Sequence, residues 1–128
     1  AMTIAADSQR KGDLANAMTY YNRAAQAAPE NITPLVALGD VLWQMKNPSE
    51  SARVLESARK LNGEDDTLLR HLGRAYVGLN EPKKAQEAYL TALAIDPNNV
   101  RTLSGLGIAY DLEGDHVTAQ SHYRAGLA

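Results

Sequence analysis

Residues 72–76 read Leu72-Gly73-Arg74-Ala75-Tyr76, and residues 106–110 read Leu106-Gly107-Ile108-Ala109-Tyr110. The two glycines are 34 residues apart, Gly39 stands another 34 upstream, and one further step back gives the small residue Ala5. An aliphatic residue precedes each of them: Ile4, Leu38, Leu72 and Leu106. Other columns keep the same step. A small column runs Ala17, Ser51, Ala85 and Ala119, and a large one runs Tyr21, Leu55, Tyr89 and Tyr123. A second small column runs Ala24, Ala58, Ala92 and Gly126, and a turn column runs Pro29, Gly63 and Pro97. Independent columns at one period, with no slip, mark an internal repeat.

The columns have a physical reading. A small residue lets a neighbouring helix approach, and a large residue fills the groove beside it. The Pro or Gly column falls where the second helix of each unit must stop. Each unit therefore reads as helix, tight turn, helix and short connection. Asn31, Asp65 and Asn99 can cap first helices, and Asp13, Asn47 and Asp115 second helices; Glu81 is a poorer cap. Pro48 and Pro82 suit a first helical position, Pro34 is tolerated in a first turn, and Asn47 with Glu50 has capping-box spacing. The pattern predicts helices over 2–11, 14–27, 32–45, 48–61, 66–79, 82–95, 100–113 and 116–127.

The chain has 128 residues, which suits one domain. With 13 Lys+Arg against 15 Asp+Glu, its net charge of -2 argues against a general nucleic-acid or anionic-membrane binder. Hydrophobic residues make up 45% and charged residues 22%, so the chain should fold. Cys is absent, which excludes disulfides, thiolate zinc sites and cysteine nucleophiles. No apolar run has the length of a membrane span, and the start has no signal-peptide pattern. Phe is absent and Ala abundant, as small-residue helix packing would require.

The quoted pentads, followed by Ala85, Tyr89, Ala92 and Pro97 in one unit and by Gly114-Asp115, Ala119 and Tyr123 in the next, resemble the tetratricopeptide repeat (TPR). The resemblance covers nearly the whole chain. It implies an all-α, right-handed α-solenoid of helix-turn-helix repeats, as a single domain over 1–128 with repeats at approximately 1–31 (truncated), 32–65, 66–99 and 100–128. The departures are Leu42 for Tyr, Ser51 for Ala, Gly63 for Pro, and a first unit that begins one turn late. Ala1-Met2 reads as foreign to the natural sequence, and the chain is expected to be a fragment of a longer protein. The last helix should expose an apolar strip through Val117, Tyr123, Ala125 and Leu127, so self-association through uncapped ends is expected.

No catalytic constellation is present, so no enzyme, cofactor or metal is expected. His116 and His122 are six apart on one helix and face different ways; they and His71 read as ordinary helix histidines. Gly105 and Gly107 form a GxG inside a helix, with Gly107 a packing position rather than part of a phosphate loop. Glu64-Asp65-Asp66 suits the positive end of a helix dipole. Five of the six tyrosines lie in or beside packing columns. Trp43 is one position past such a column, either turned to the inner face as an anchor or covering a junction between units.

In tetratricopeptide proteins the first helices line the concave groove. That resemblance assigns to the groove Thr33, Val36, Ala37, Asp40 and Gln44, then Thr67, Arg70, His71 and Arg74, then Arg101, Ser104, Gly105, Ile108 and Asp111. The candidate partner-binding residues are Asp40, Trp43, Arg70, His71, Arg74 and Arg101. Arg70 and Arg74 share a helix face, and Arg101 is on the next first helix. The alternative is a solvated face balanced by Asp40 and Asp111. The cochaperone subfamily that grips acidic chaperone tails needs Lys and Asn where this chain has Met2 and Ala6, or Val36 and Asp40, so that activity is not expected.

The fourth unit, from Leu103-Ser104-Gly105-Leu106-Gly107 to Gly114-Asp115-His116 and Ala119-Gln120-Ser121-His122-Tyr123-Arg124, also resembles the TadD-type lipoproteins of bacterial Tad (Flp) pilus assembly. That resemblance implies a non-enzymatic scaffold on the periplasmic side of the outer membrane, with a secretin or other pilus component as partner. Two alternatives stay open. One is a generic adaptor or chaperone binding acidic peptide segments, cytoplasmic or periplasmic. The other is a helical accessory domain of a larger enzyme. None of these readings involves nucleic acid or insertion of this segment into a membrane.

Overall fold

A computed structural model of the chain describes residues 2–10 and 12–127. It is all-α, with eight helices and no strand among the described residues. Helices α1 (Met2–Arg10), α2 (Leu14–Ala27), α3 (Ile32–Gln44) and α4 (Pro48–Leu61) form a first compact unit over Ala1–Gly63. Helices α5 (Asp66–Gly78), α6 (Pro82–Ile95), α7 (Val100–Glu113) and α8 (His116–Leu127) form a second over Glu64–Ala128. The expected ranges differ from these by at most one residue at any described end. Lys11, the expected last residue of the first helix, lies outside the described residues.

The caps account for this agreement. Carboxylate or amide oxygens of Asp13, Asn31, Asn47, Asp65, Asn99 and Asp115 accept backbone N–H groups of Asn16, Thr33, Glu50, Leu68, Thr102 and Thr118 at 3.0–3.3 Å. Glu81 makes no such bond; one methylene longer than Asp, its carboxylate lies 3.6 Å from the Lys84 ammonium instead. The capping box expected at Asn47 and Glu50 is only half formed. Glu50 turns to the Arg53 guanidinium, 2.8 Å away, while the Asn47 N–H donates to the Leu42 carbonyl. The fork of Arg53 offers the carboxylate two donors, against one from the backbone.

Every hairpin turns through one residue of left-handed backbone, at Gly12, Lys46, Asn80 and Gly114 (φ 80°, 62°, 57° and 93°). The N–H following each donates to a carbonyl five residues back: Asp13 to Ser8, Asn47 to Leu42, Glu81 to Tyr76 and Asp115 to Tyr110. This turn is another column of the 34-residue period. Glycine and asparagine meet its requirement cheaply, and Lys46 carries a Cβ there at some cost.

Within the hairpins the glycine column receives the large column. A Cβ on Gly39 would meet the Leu55 side chain at 2.5 Å, one on Gly73 would meet the Tyr89 ring at 2.7 Å, and one on Gly107 would run into the Tyr123 ring. Only hydrogen at these positions allows the close approach. Ser51, an apparent departure in the small column, is fully buried and donates its hydroxyl to the Gly39 carbonyl at 2.7 Å. The cores follow: Ala5, Ala17, Tyr21, Leu38, Val41, Leu42 and Val54 cluster in the first unit. In the second unit Leu68, Leu69, Leu72, Tyr76, Leu103 and Leu106 are buried.

Candidate functional site

In the second unit, α5 carries a row of charged side chains. Along α5, Asp66, Arg70 and Arg74 recur every fourth residue and so share a side of the helix. The Arg70 side chain is only 15% exposed. It is positioned from within α5: its Nε lies 3.9 Å from Asp66 Oδ2, and its Nη2 donates to Thr67 Oγ1 at 3.1 Å. That Nε is shut off from solvent and makes no hydrogen bond among the described residues. Arg74 and His71 are half-buried beside it, each with further polar contacts. On α7, Arg101 and Ile108 are exposed and Ser104 is half-buried.

Tyr89 comes up from α6 between α5 and α7. Its ring is received by two glycines, because Cβ atoms on Gly73 of α5 and on Gly105 of α7 would both clash with it. Only 5% of the residue stays exposed. Burial pushes its phenol up to about 12, against the opposing pull of the nearby Arg74 and Arg70 charges. Gly105 is therefore buried beneath the tyrosine, contrary to its expected place in the groove lining. Its spacing could have shown this. Gly105 follows Tyr89 by 16 residues, as Ala37 follows Tyr21, whereas the bulkier His71 follows Leu55.

The other two tyrosines of the column deliver their hydroxyls to acceptors. Tyr21 donates to Gln9 Oε1 at 3.1 Å, and Gln9 Nε2 in turn donates to Asp40 Oδ2 at 2.7 Å. Asp40 also accepts from Gln44 at 3.3 Å. Tyr123 donates to Asp111 Oδ2 at 2.9 Å, while His116 Nδ1 lies 2.7 Å from Asp111 Oδ1. His116 and Tyr123 hold the Asp111 carboxyl below the usual range. Both aspartates expected to line a groove are thus engaged by local partners. Tyr123 is half-buried on Gly107, not part of an exposed strip, because its ring fills the space the glycine leaves.

Asp40 and Trp43 lie in the first unit, where Trp43 is 37% exposed. Arg70, His71, Arg74 and Arg101 lie in the second. Among the described residues no three His, Cys, Asp or Glu side chains come together as metal ligands. His122 stacks on Tyr110 with ring centroids 5.3 Å apart.

A "TPR repeat" family model matches residues 73–114, and a "Tetratricopeptide repeat" model matches residues 9–66. The chain is a tetratricopeptide-repeat protein. Such repeats serve as protein-interaction scaffolds. Among curated proteins, this tetratricopeptide chain is 30% identical over 90 residues to the human anaphase-promoting complex subunit 7, covering 70% of the chain and 16% of that protein. It is 28% identical over 99 residues to an Arabidopsis thaliana CTR9 homolog, covering 77% of the chain and 9% of that protein. The chain thus spans a sixth or less of the length of these relatives. Among solved structures, MamA from Desulfovibrio magneticus RS-1 superposes with a TM-score of 0.90 at 25% identity, over 98% of this chain and 71% of that one. The Thermus thermophilus TPR protein TTC0263 gives 0.86 at 19%, over 96% and 69%. These likenesses agree with the α-solenoid repeat class.

Proposed function

We propose that this tetratricopeptide protein captures a carboxylate-bearing segment of a protein partner on the α5–α7 face of its second unit. The arrangement of Arg70 and Arg74 carries this reading. They share one side of α5, and Arg101 adds an exposed cation on α7, in a chain whose net charge is -2. Arginine suits the task because its planar fork can hold a carboxylate through two bonds. Exposed pairs contribute little singly, commonly under about 1 kcal/mol. Useful affinity therefore needs several pairs together with apolar burial, which Ile108 can supply. Micromolar binding, about -8 kcal/mol, is the scale expected, and it should weaken with salt. Reversing both charges, Arg70→Glu with Arg74→Glu, should abolish binding of an acidic peptide; because Arg70 is only 15% exposed beside Asp66, the neutral pair Arg70→Gln with Arg74→Gln, which should also weaken binding, separates loss of charge from loss of fold in the helical melt. Retained binding in the charge-reversed variant would move the site off this face.

The fourth-unit pattern from Leu103 to Arg124 favours a more particular setting, in which the captured segment belongs to a secretin or another pilus-assembly component. Co-purification of such a component with the natural full-length protein, lost in the arginine double variant, is the test. Recovery of unrelated partners alone would leave the general adaptor reading.

A further inference from the structure

We infer that the partner segment docks on α7 as an amphipathic helix, setting two apolar side chains against Ile108 and Leu112 and a carboxylate of the same helix face against Arg101. This rests on the proposed capture of a carboxylate-bearing segment and deepens it, by giving the form of that segment and the helix that reads it. Positions 101, 108 and 112 fall within about 40° of one another around a helix of 3.6 residues per turn, so they share one side of α7. All three residues are exposed, Ile108 at 47% and Leu112 at 43%. The repeat does not require apolar residues there. At the matching positions α3 carries Asp40 and Gln44, and α5 carries Arg74 and Gly78. The buried side of α7 is made of other residues, among them Leu103, Leu106 and Ala109. Ile108 and Leu112 are thus surplus to the packing of their hairpin, and they hold an apolar pair in water one turn apart.

Arg101 supplies the charge. It makes no hydrogen bond or ion pair among the described residues. The carboxylates of its own helix are engaged elsewhere, Asp111 by Tyr123 and His116, and Glu113 by Lys83 at 2.8 Å. The N-terminal end of α7 therefore carries an unpaired cation, reinforced by the positive end of the helix dipole. About 10 Å further along, at 1.5 Å per residue, the apolar pair begins. Two apolar side chains standing up from one helix are met by the groove between side chains of a second helix. A second helix repeats at the same rise, so its matching face has Asp or Glu seven residues from the nearer of two apolar residues four apart. An extended segment, rising about 3.3 Å per residue, crosses the same row in about five residues and has a different spacing.

The test uses the full chain and labelled peptides of about 20 residues, long enough to hold a helix on an Ala/Gln background. The peptides are acetylated and amidated, and binding is read by fluorescence anisotropy. Matched peptides carry Glu, Leu and Leu at spacings of seven and four, in either order along the peptide. The control carries the same three residues at spacings of five, which spreads them around the helix. One matched peptide should bind at least about tenfold more tightly than the control. Ile108→Gln with Leu112→Gln, at exposed positions where Gln keeps the helix, should remove that preference. Arg101→Glu should weaken the matched peptide, and replacing the peptide's Glu by Lys should restore binding to that variant. This charge swap leaves the apolar pair untouched, so it decides the matter even where the Gln variant loses its fold by circular dichroism. Equal binding of matched and control peptides by the parent would overturn the inference. So would a preference kept in the folded Ile108→Gln, Leu112→Gln variant, or a charge swap that restores nothing. Amidated hexaglutamate, which has no apolar face, reads the proposed function separately, and its binding should fall in the Arg70→Gln, Arg74→Gln variant. That fall, with matched and control peptides bound equally, overturns the helix inference alone. Hexaglutamate binding kept in the arginine variant overturns the proposed function, and the matched and control peptides then still decide what α7 reads.

Discussion

At the scale of single residues, the hairpins depend on hydrogen atoms at particular glycines. A side chain on Gly73 or Gly105 must displace the Tyr89 ring, which is held on both sides. Gly73→Leu should therefore destabilise by about 1–3 kcal/mol or more, seen as a lower denaturant midpoint; an unchanged midpoint would show that the ring has room to move. Gly105→Ala should also destabilise, and its cost should shrink when combined with Tyr89→Leu, a non-additivity readable in a double-mutant cycle. The same tyrosine controls alkaline stability. Its folded value of about 12 lies above the ordinary 10.0, so its contribution is complete below pH 10 and is lost as pH rises toward 12. The amount is on the order of 2–3 kcal/mol. In Tyr89→Phe the melting temperature should fall less between pH 10 and 12 than in the parent.

At the scale of elements, α6 has the least well satisfied start among α2–α8. Its N-cap, Glu81, gives no side-chain bond to the first turn, while the Asp and Asn residues at the corresponding places do. Shortening the side chain by one methylene, Glu81→Asp, should bring the carboxylate onto the third backbone N–H and add about 0.5–1 kcal/mol. The gain should appear in thermal melts followed by circular dichroism. A loss would mean that the Lys84 contact outweighs the cap. The exposed ion pair between Lys83 of α6 and Glu113 of α7, 2.8 Å long, should matter little by comparison.

At the scale of the whole molecule, the exposed side of α8 is where a further surface can attach. Val117 is 84% exposed and Leu127 89%, and Ala125 is exposed with them. They do not form the continuous apolar strip the sequence suggested, because Gln120, Ser121 and Arg124 are exposed between them and Tyr123 turns inward. Association through this side should therefore be weak and should appear only at high concentration. Val117→Lys with Leu127→Lys should lower the sedimentation-average mass there and shift stability by no more than about 0.5 kcal/mol. An unchanged concentration dependence would place the self-contact elsewhere.

The period, the helix ends and the fold class were all legible in the sequence, because each rests on local chemistry. A cap needs one Asp or Asn, a turn needs one residue that tolerates positive φ, and a packed hairpin needs small and large residues 16 apart, as in Gly73 and Tyr89. The left-handed turn column was present as Gly12, Lys46, Asn80 and Gly114, but Lys46 disguised it. The arginine pair was legible too, since four residues bring two side chains to one side of a helix. Tertiary structure decided which polar groups are already engaged. Asp40 and Asp111 read as groove lining and Glu50 as half of a capping box, and each is taken by a partner whose reach depends on how helices or side chains meet in space. It also decided that Tyr89, one member of a packing column, is received by glycines of two different helices, Gly73 of α5 and Gly105 of α7. That outcome depends on residues of three helices converging, and no spacing along one helix encodes it.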